Sequence, residues 1–492
     1  MFDYAKRMCE IRGVIAKGPF QDTWESLSHF RTPTWFSKAK FGIFIHWGLY
    51  SVPAYRNEWY SRNMYVRNSP EYEYHRKKYG PQKDFGYKDF IPMFKAEKFD
   101  AAKWADLFKE AGAKYVVPVA EHHDGFQMYE SELSKYNAVE MGPKRDVLGQ
   151  LREAIEERDM TFCTSTHRAE HFWFMGVGRE FESDITGEFT RGDFYWPSVA
   201  EQPDNYDMYA TPYPTEEFLE DWICRTCEIV DKYRPAILYF DWWIMHDGYK
   251  DALRTIMAYY YNRASEWGME VAVTYKHDAL AFGSGIVEIE RGTLPFAEPF
   301  VWQTDTAIAR NSWCYVQDLE YKSAGEIVRV LCDAVSKNGN LLLNIGPMAN
   351  GEIPKTDETI LKEIGQWLSV NGEAIYESKP WRYCMEGPTK EGEGQFMDAS
   401  ETQYTPSDFR FTCANGCVYA IGMQTPKDGN ICIQSLGTSK DATKPQFCGI
   451  ISEVKILGYS GEIEYIVDEE GLHLKADIAY STMPFVVKVK VN

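Results

Sequence analysis

One kind of place in this chain gathers its reactive side chains: the end of an apolar run. Asp241 ends Ala236-Ile237-Leu238-Tyr239-Phe240 and is followed by Trp242-Trp243. A buried strand has no structural use for a carboxylate at its tip. Such an acid either caps the next helix or sits partly desolvated beside flat apolar faces. The second setting suits a nucleophilic carboxylate that attacks an anomeric carbon. Phe44-Ile45-His46-Trp47 places an imidazole in the same way, with Glu58-Trp59-Tyr60 downstream. Glu121-His122-His123-Asp124-Gly125-Phe126 and Thr166-His167-Arg168-Ala169-Glu170-His171-Phe172-Trp173 supply two further clusters. Adjacent histidines can bind a metal, but no His-x-His, His-x-x-x-His or carboxylate-spaced partner accompanies them. Two imidazoles can also donate to vicinal hydroxyls of a sugar, which fits better. The cluster around His167 can alternatively be read as a salt-bridged surface turn. In Val287-Glu288-Ile289-Glu290-Arg291 the two glutamates share a face, because alternate residues of a strand do. Glu290, nearer the C-terminal end, is the better general acid, with Glu288 in reserve. Arg291 could hold a ligand oxygen or tune the acid, and Glu298 and Asp305 are secondary candidates.

The elements that must position these groups follow a repeating pattern. Apolar runs at Phe41–His46, Lys114–Val119, Met160–Ser165, Ile237–Asp241, Val271–Tyr275, Ile286–Glu290 and Asn340–Ile345 read as strands. Helical periodicity lies between most of them. Asp100 caps one helix whose Trp104, Leu107, Phe108 and Ala111 recur at helical spacing, and Ile360, Leu361, Ile364, Trp367 and Leu368 mark another before Asn371-Gly372. Repeated βα units over about 330 residues favour a closed (β/α)8 barrel of the TIM type, with an open doubly wound sheet as runner-up. A barrel brings His46, His122, His123, His167, Asp241 and Glu290 to one mouth, whereas an open sheet spreads them. After about residue 375 helical periodicity vanishes. Short alternating runs such as Val418–Ile421, Ile463–Val467 and Phe485–Val491 predict an all-β sandwich. The expected division is a catalytic barrel over 1–375 and a sandwich over 376–492. The Gly-, Glu- and Thr-rich stretch Glu386–Gln403 reads as a surface loop.

The totals narrow the partners. A formal net charge of −20 argues against nucleic acid and anionic membranes, and no segment is long and apolar enough to span a bilayer. Aromatics form 15% of the 492 residues, enough for a large core and for sugar-stacking surfaces. The eleven cysteines are scattered, and Cys224-x-x-Cys227 falls in an apparent helix with no second pair, so reduced thiols are the simpler account. The N-terminal residues show no apolar signal-type region, from which a cytoplasmic location is expected.

Taken together, five segments resemble glycoside hydrolase family 29, the α-L-fucosidases. They are Lys40–Gly48, Glu58–Tyr60, His122–Phe126, Tyr239–Asp241 and Asn340–Pro347, in order along the chain. The resemblance implies a barrel followed by a β-sandwich, a retaining mechanism, and neither metal nor cofactor. Position by position, Asp241 looks like the nucleophile. His46, His122 and His123 look like contacts to fucose hydroxyls, and Trp59, with Glu58 beside it, like a contact to the sugar's apolar side. Tyr239 stands where some members carry Trp, and His167 where others use Tyr. Some members use a Glu in a Trp-Glu pair as acid/base, but the similar segment here reads Trp302-Gln303-Thr304-Asp305. Gln303 cannot donate a proton by ionisation, so the acid is expected at Glu290. The implied reaction is release of terminal α-L-fucosyl residues from fucosylated oligosaccharides or glycoconjugates through a covalent fucosyl-enzyme. A catalytically weak fucose- or glycan-binding protein on the same fold is the alternative that Gln303 invites, and a related sugar of matching configuration is a third. Linkage preference is expected to depend on the segments Asn63–Asp84 and Arg179–Tyr213. The sequence does not set the oligomeric state.

Overall fold

Nine strand segments of the chain pair in parallel: β1 (Phe41–Ile45), β2 (Tyr115–Glu121), β3 (Thr161–Phe162), β4 (Thr164–Thr166), β5 (Ile237–Phe240), β6 (Ala272–Tyr275), β7 (Ile286–Glu290), β8 (Trp302–Ala307) and β9 (Gly339–Ile345). β3 and β4 are one strand interrupted at Cys163, so the sheet has eight positions. β9 pairs back on β1, from Phe41 opposite Leu341 to Ile45 opposite Ile345, and this closes the barrel. This computed structural model describes residues 2–200, 207–441, 443 and 446–492. Residues 201–206 of the segment Arg179–Tyr213 therefore lie outside the described residues.

The strands bury both faces, which is why β1, β2 and β9 read as continuous apolar runs. Helices cover the outside after most strands. The helix Ala101–Glu110 turns Trp104, Ala105, Leu107 and Phe108 inward, and Asp100 caps it by accepting from the Lys103 N–H at 3.1 Å. Such a cap is worth about 1 kcal/mol. Among the described residues no helix separates β6 from β7 or β7 from β8. These two connections are irregular, and the region outside β7 and β8 is left for another part of the chain. At the opposite end of the barrel, Trp35 and Phe36 pack edgewise on Tyr115 and cover the strand starts.

β8 carries no apolar run, and the pattern reading above passes over it. All six residues of Trp302-Gln303-Thr304-Asp305-Thr306-Ala307 are nevertheless buried. Gln303 and Asp305 point into the barrel, where Tyr115 and Tyr239 respectively donate to them. Polar residues are stable there because polar partners from neighbouring strands meet them.

The C-terminal part builds antiparallel strands β10 (Lys379–Glu386), β11 (Phe409–Ala414), β12 (Cys417–Gly422), β13 (Asn430–Ile433), β14 (Ile451–Ile456), β15 (Glu464–Val467), β16 (Leu472–Lys475) and β17 (Phe485–Val491). One sheet runs β10-β11-β12-β17-β14 and the other β13-β16-β15. Phe409, Phe411, Val418, Val487 and Val489 of the first pack with Ile431, Ile433, Leu472 and Leu474 of the second, a β-sandwich core. The helices Ala324–Ser336 and Lys355–Asn371 carry it: Arg329 donates to the Met423 and Thr482 carbonyls, and the Trp367 indole to that of Pro484.

The stretch Glu386–Gln403 is not a free surface loop. Its middle lies against the end of β7, and its acids pair with buried cations of the barrel. Cys224 and Cys227 are buried and unpaired in the helix Glu216–Tyr233. No helix among the described residues is long and apolar enough to cross a membrane.

Candidate active site

The C-terminal ends of the barrel strands surround a cavity of about 430 Å³. His46, Glu58, Trp59, His122, His123, His167, Tyr239, Asp241 and Glu290 all line it. All but Glu58 and Trp59, which lie farther along the connection after β1, are carried there by a strand or the turn after it, so the closed sheet brings them together.

Asp241 begins a short 3-10 turn, yet its side chain caps nothing. Its Oδ2 accepts from His123 Nε2 and His167 Nδ1, both at 3.2 Å, and its Oδ1 accepts from Lys276 Nζ at 3.0 Å. Burial alone would raise its pKa, but the Lys276 charge and the two imidazole hydrogen bonds outweigh it and hold Asp241 well below the usual carboxylate range. It is an anion at any working pH.

The four imidazoles divide by charge. His123 is buried, which opposes its cation, but Glu170 and Asp241 reverse the balance and push its pKa up to about 9. Its Nδ1 donates to the His167 carbonyl at 2.9 Å. Burial drives His46 and His122 well below the ordinary value, with neighbouring imidazoles adding to the effect, and takes His167 down to about 4. His46 Nδ1 donates to Asn344 Oδ1 at 2.6 Å, and Asn344 is fixed by donating to the Trp313 carbonyl at 2.6 Å. That tautomer leaves His46 Nε2 as an acceptor. Glu58, its pKa raised by burial, accepts from the Trp313 backbone N–H at 3.1 Å. The site therefore offers neutral acceptors, one imidazolium and aromatic walls, the chemistry of a polyhydroxylated ring with one apolar face.

Lys276, just past β6, escaped the pattern reading. Its Nζ lies 2.6 Å from Glu290 Oε2, 3.0 Å from Asp241 Oδ1 and 3.9 Å from Asp305 Oδ2. Burial works against its charge, yet the three carboxylates hold its pKa well above the usual value. The two oxygens on Asp241 and Glu290 that share this ammonium are thus held less than about 6 Å apart, near the spacing of a retaining carboxyl pair and below that of an inverting one. Glu290 is pushed up to about 7: burial dominates, Asp305 and Asp241 add to it, and Lys276 opposes it. Below about pH 7 the two acids therefore differ in charge, Asp241 ionised and Glu290 protonated. Glu288 shares a face with Glu290 as expected, but it lies deeper, fully buried against the Gln303 amide at 2.5 Å and not in the cavity lining. Gln303 belongs to that deeper layer. Glu298 does not line the cavity, whereas Asp305 does.

Arg291, expected to hold a ligand oxygen or tune the acid, is also left out of the lining. Its backbone is left-handed, φ 47°, and its guanidinium lies over the Trp313 ring and binds Asp398 at 3.2 Å. It holds the docked segment of residues 386–403 instead of pointing at a ligand. The His167 cluster is not a surface turn either. Arg168 is 2% exposed and pairs with Glu121 at 2.7 Å and Asp221 at 2.8 Å, and Arg225 joins both acids. Glu121 precedes His122 and Arg168 follows His167, so this buried network fixes both imidazole-bearing strand ends.

Among the described residues two groups could hold a metal by proximity, His46-His122-His167 and His123-His167-Asp241, each with ligand atoms within 4.8 Å of one another. Several of these atoms are already engaged: His46 with Asn344, and His167 with Ser165 and Asp241. The imidazolium of His123 opposes a further cation.

The geometry has counterparts. The family model described as Alpha-L-fucosidase matches residues 8–373. The chain is 32% identical to human plasma alpha-L-fucosidase over 92% of its own length and 87% of the relative's, and 30% identical to human tissue alpha-L-fucosidase over 92% and 86%. The crystal structure of Thermotoga maritima alpha-fucosidase superposes with a TM-score of 0.72 at 28% identity, covering 96% of this chain and all of that one; the same holds for its complex with fucose. This chain belongs to the α-L-fucosidases, glycoside hydrolase family 29.

Proposed function

We propose that the protein hydrolyses terminal α-L-fucosyl bonds of fucosylated oligosaccharides or glycoconjugates with net retention. The observation that carries this reading is the pair Asp241 and Glu290, on opposite sides of their ordinary pKa and bridged by one buried ammonium. Asp241 attacks the anomeric carbon as Glu290 protonates the departing oxygen, giving a fucosyl ester of Asp241. Glu290, now a carboxylate, takes a proton from water, which attacks the same carbon and frees Asp241. The neutral imidazoles of His46 and His122 and the imidazolium of His123 bind the hydroxyls, Trp59 packs on the apolar face, and Lys276 keeps Asp241 ionised.

The test is release of 4-nitrophenol from 4-nitrophenyl α-L-fucoside by the wild type and by Asp241→Gly, with and without EDTA, while NMR follows the first anomer formed. Turnover that survives EDTA, collapses in the variant and yields α-fucose first is expected. First appearance of the β-anomer sinks the retaining assignment, and an inert wild type sinks the activity.

A further inference from the structure

The segment from Glu391 to Asp398 belongs to the C-terminal half of the chain, yet it runs beside the end of β7 like an added strand. The Thr293 and Gly394 backbones exchange hydrogen bonds at 3.2 and 3.0 Å, Phe396 N–H donates to the Glu290 carbonyl at 2.9 Å, and Met397 N–H to that of Arg291 at 2.7 Å. The approach is so close that a Cβ on Gly292 would sit 1.7 Å from the Gly394 oxygen. Charged and polar side-chain contacts fix both ends. Asp398 binds Lys322 at 2.5 Å and Arg291 at 3.2 Å, and Glu391 binds Arg410 at 3.0 Å and Lys337 at 3.4 Å.

What this anchoring presents is Phe396. It lines the catalytic cavity, is 51% exposed, and has φ 55°, a left-handed backbone that a bulky residue adopts only at a cost. Glycine or a polar residue would relieve both the strain and the exposed ring, so the ring has a use. Its location says which. A general acid faces the departing oxygen, and Phe396 is hydrogen-bonded to the backbone of that acid. That bond, with both residues lining one cavity, puts Phe396 on the acid's side of the site.

We propose that Phe396 is the platform for the leaving group: its ring packs on a flat apolar face of the aglycone, an aryl ring or the C–H face of a pyranose, so that the C-terminal domain supplies a subsite of the barrel's active site. The proposal rests on the fucosidase reading and adds to it.

The test compares kcat/KM for 4-nitrophenyl α-L-fucoside, which has a ring to stack, with that for α-L-fucosyl fluoride, which has none. The full-length wild type, Phe396→Ala and Phe396→Trp are measured on both. The aryl-to-fluoride ratio is expected to fall about tenfold in Phe396→Ala and to recover in Phe396→Trp. Equal losses on both substrates overturn the proposal, because the ring would then serve the site's architecture. An unchanged ratio with no loss on either overturns it too. A wild type inert on both fails at the fucosidase reading itself, which separates the two failures.

Discussion

A single ammonium sets the charge states on which the proposed chemistry turns. Lys276 is shared by Asp241, Glu290 and Asp305, and its charge is the largest influence holding Asp241 ionised against burial. Lys276→Met should cut kcat/KM about 100-fold near pH 6 and shift the acidic limb of its pH profile upward, because Asp241 then keeps its proton longer. An unmoved limb would reduce Lys276 to a packing role. In the proposed reaction Glu290 works as the protonated acid, so activity should be full below its pKa of about 7 and decline as pH rises through it. The alkaline limb of kcat/KM on an unactivated fucoside should fall there and vanish in Glu290→Gln. That variant should lose far less on 4-nitrophenyl α-L-fucoside than Asp241→Gly, since a good leaving group needs little acid. Asp241 and Glu290 were legible in the sequence because carboxylates at strand tips conflict with their surroundings. Lys276 was not: a lone lysine after a strand looks like any solvated charge until the closed sheet places three carboxylates around it.

Elements position these residues through partners distant in sequence. Arg168 and Arg225 are clamped by Glu121 and Asp221, all essentially buried, and Tyr4 of the N-terminal helix donates to Asp221 at 2.8 Å. Asp221→Ala leaves two buried guanidinium groups short of a counter-charge, at a cost of about 3–5 kcal/mol. Urea unfolding should register that loss, and kcat should fall with it because the network fixes the turns bearing His122, His123 and His167. A loss below about 1 kcal/mol would mean that water compensates the charges. The same distance effect bounds what the sequence could say about elements. Seven strands announced themselves by apolar runs, but β8 did not, since its inward Gln303 and Asp305 are satisfied by Tyr115 and Tyr239 from other strands. Residues 386–403 looked like a solvated loop because their charges find partners only after folding.

At the scale of the molecule, barrel and sandwich meet through a buried charge cluster. Asp333 and Lys337 on the barrel side face Arg410 and Glu391 on the other: Arg410 binds Asp333 at 2.6 Å, and Lys337 binds it at 2.8 Å. Burial would raise Asp333, but Lys337 and Arg410 hold it well below the usual range. Glu391 goes the other way, up to about 7, through burial first and then the Asp333 charge. An unfolded glutamate releases its proton near pH 4.3. Between that value and about 7 the folded chain holds a proton that the unfolded chain has lost. The stability contributed by Glu391 is therefore full below that window and is lost as pH rises through about 7. Because Glu391 anchors the segment that carries Phe396, alkaline pH should loosen that wall of the cavity as well as the domain contact. Glu391→Gln keeps a hydrogen-bonding side chain of the same size without the titration. Its unfolding free energy relative to wild type should rise by about 1–3 kcal/mol between pH 5 and pH 8. A difference that stays constant across that range would show that Glu391 is ionised in the folded protein throughout, and that the two domains are held by a fixed ion pair.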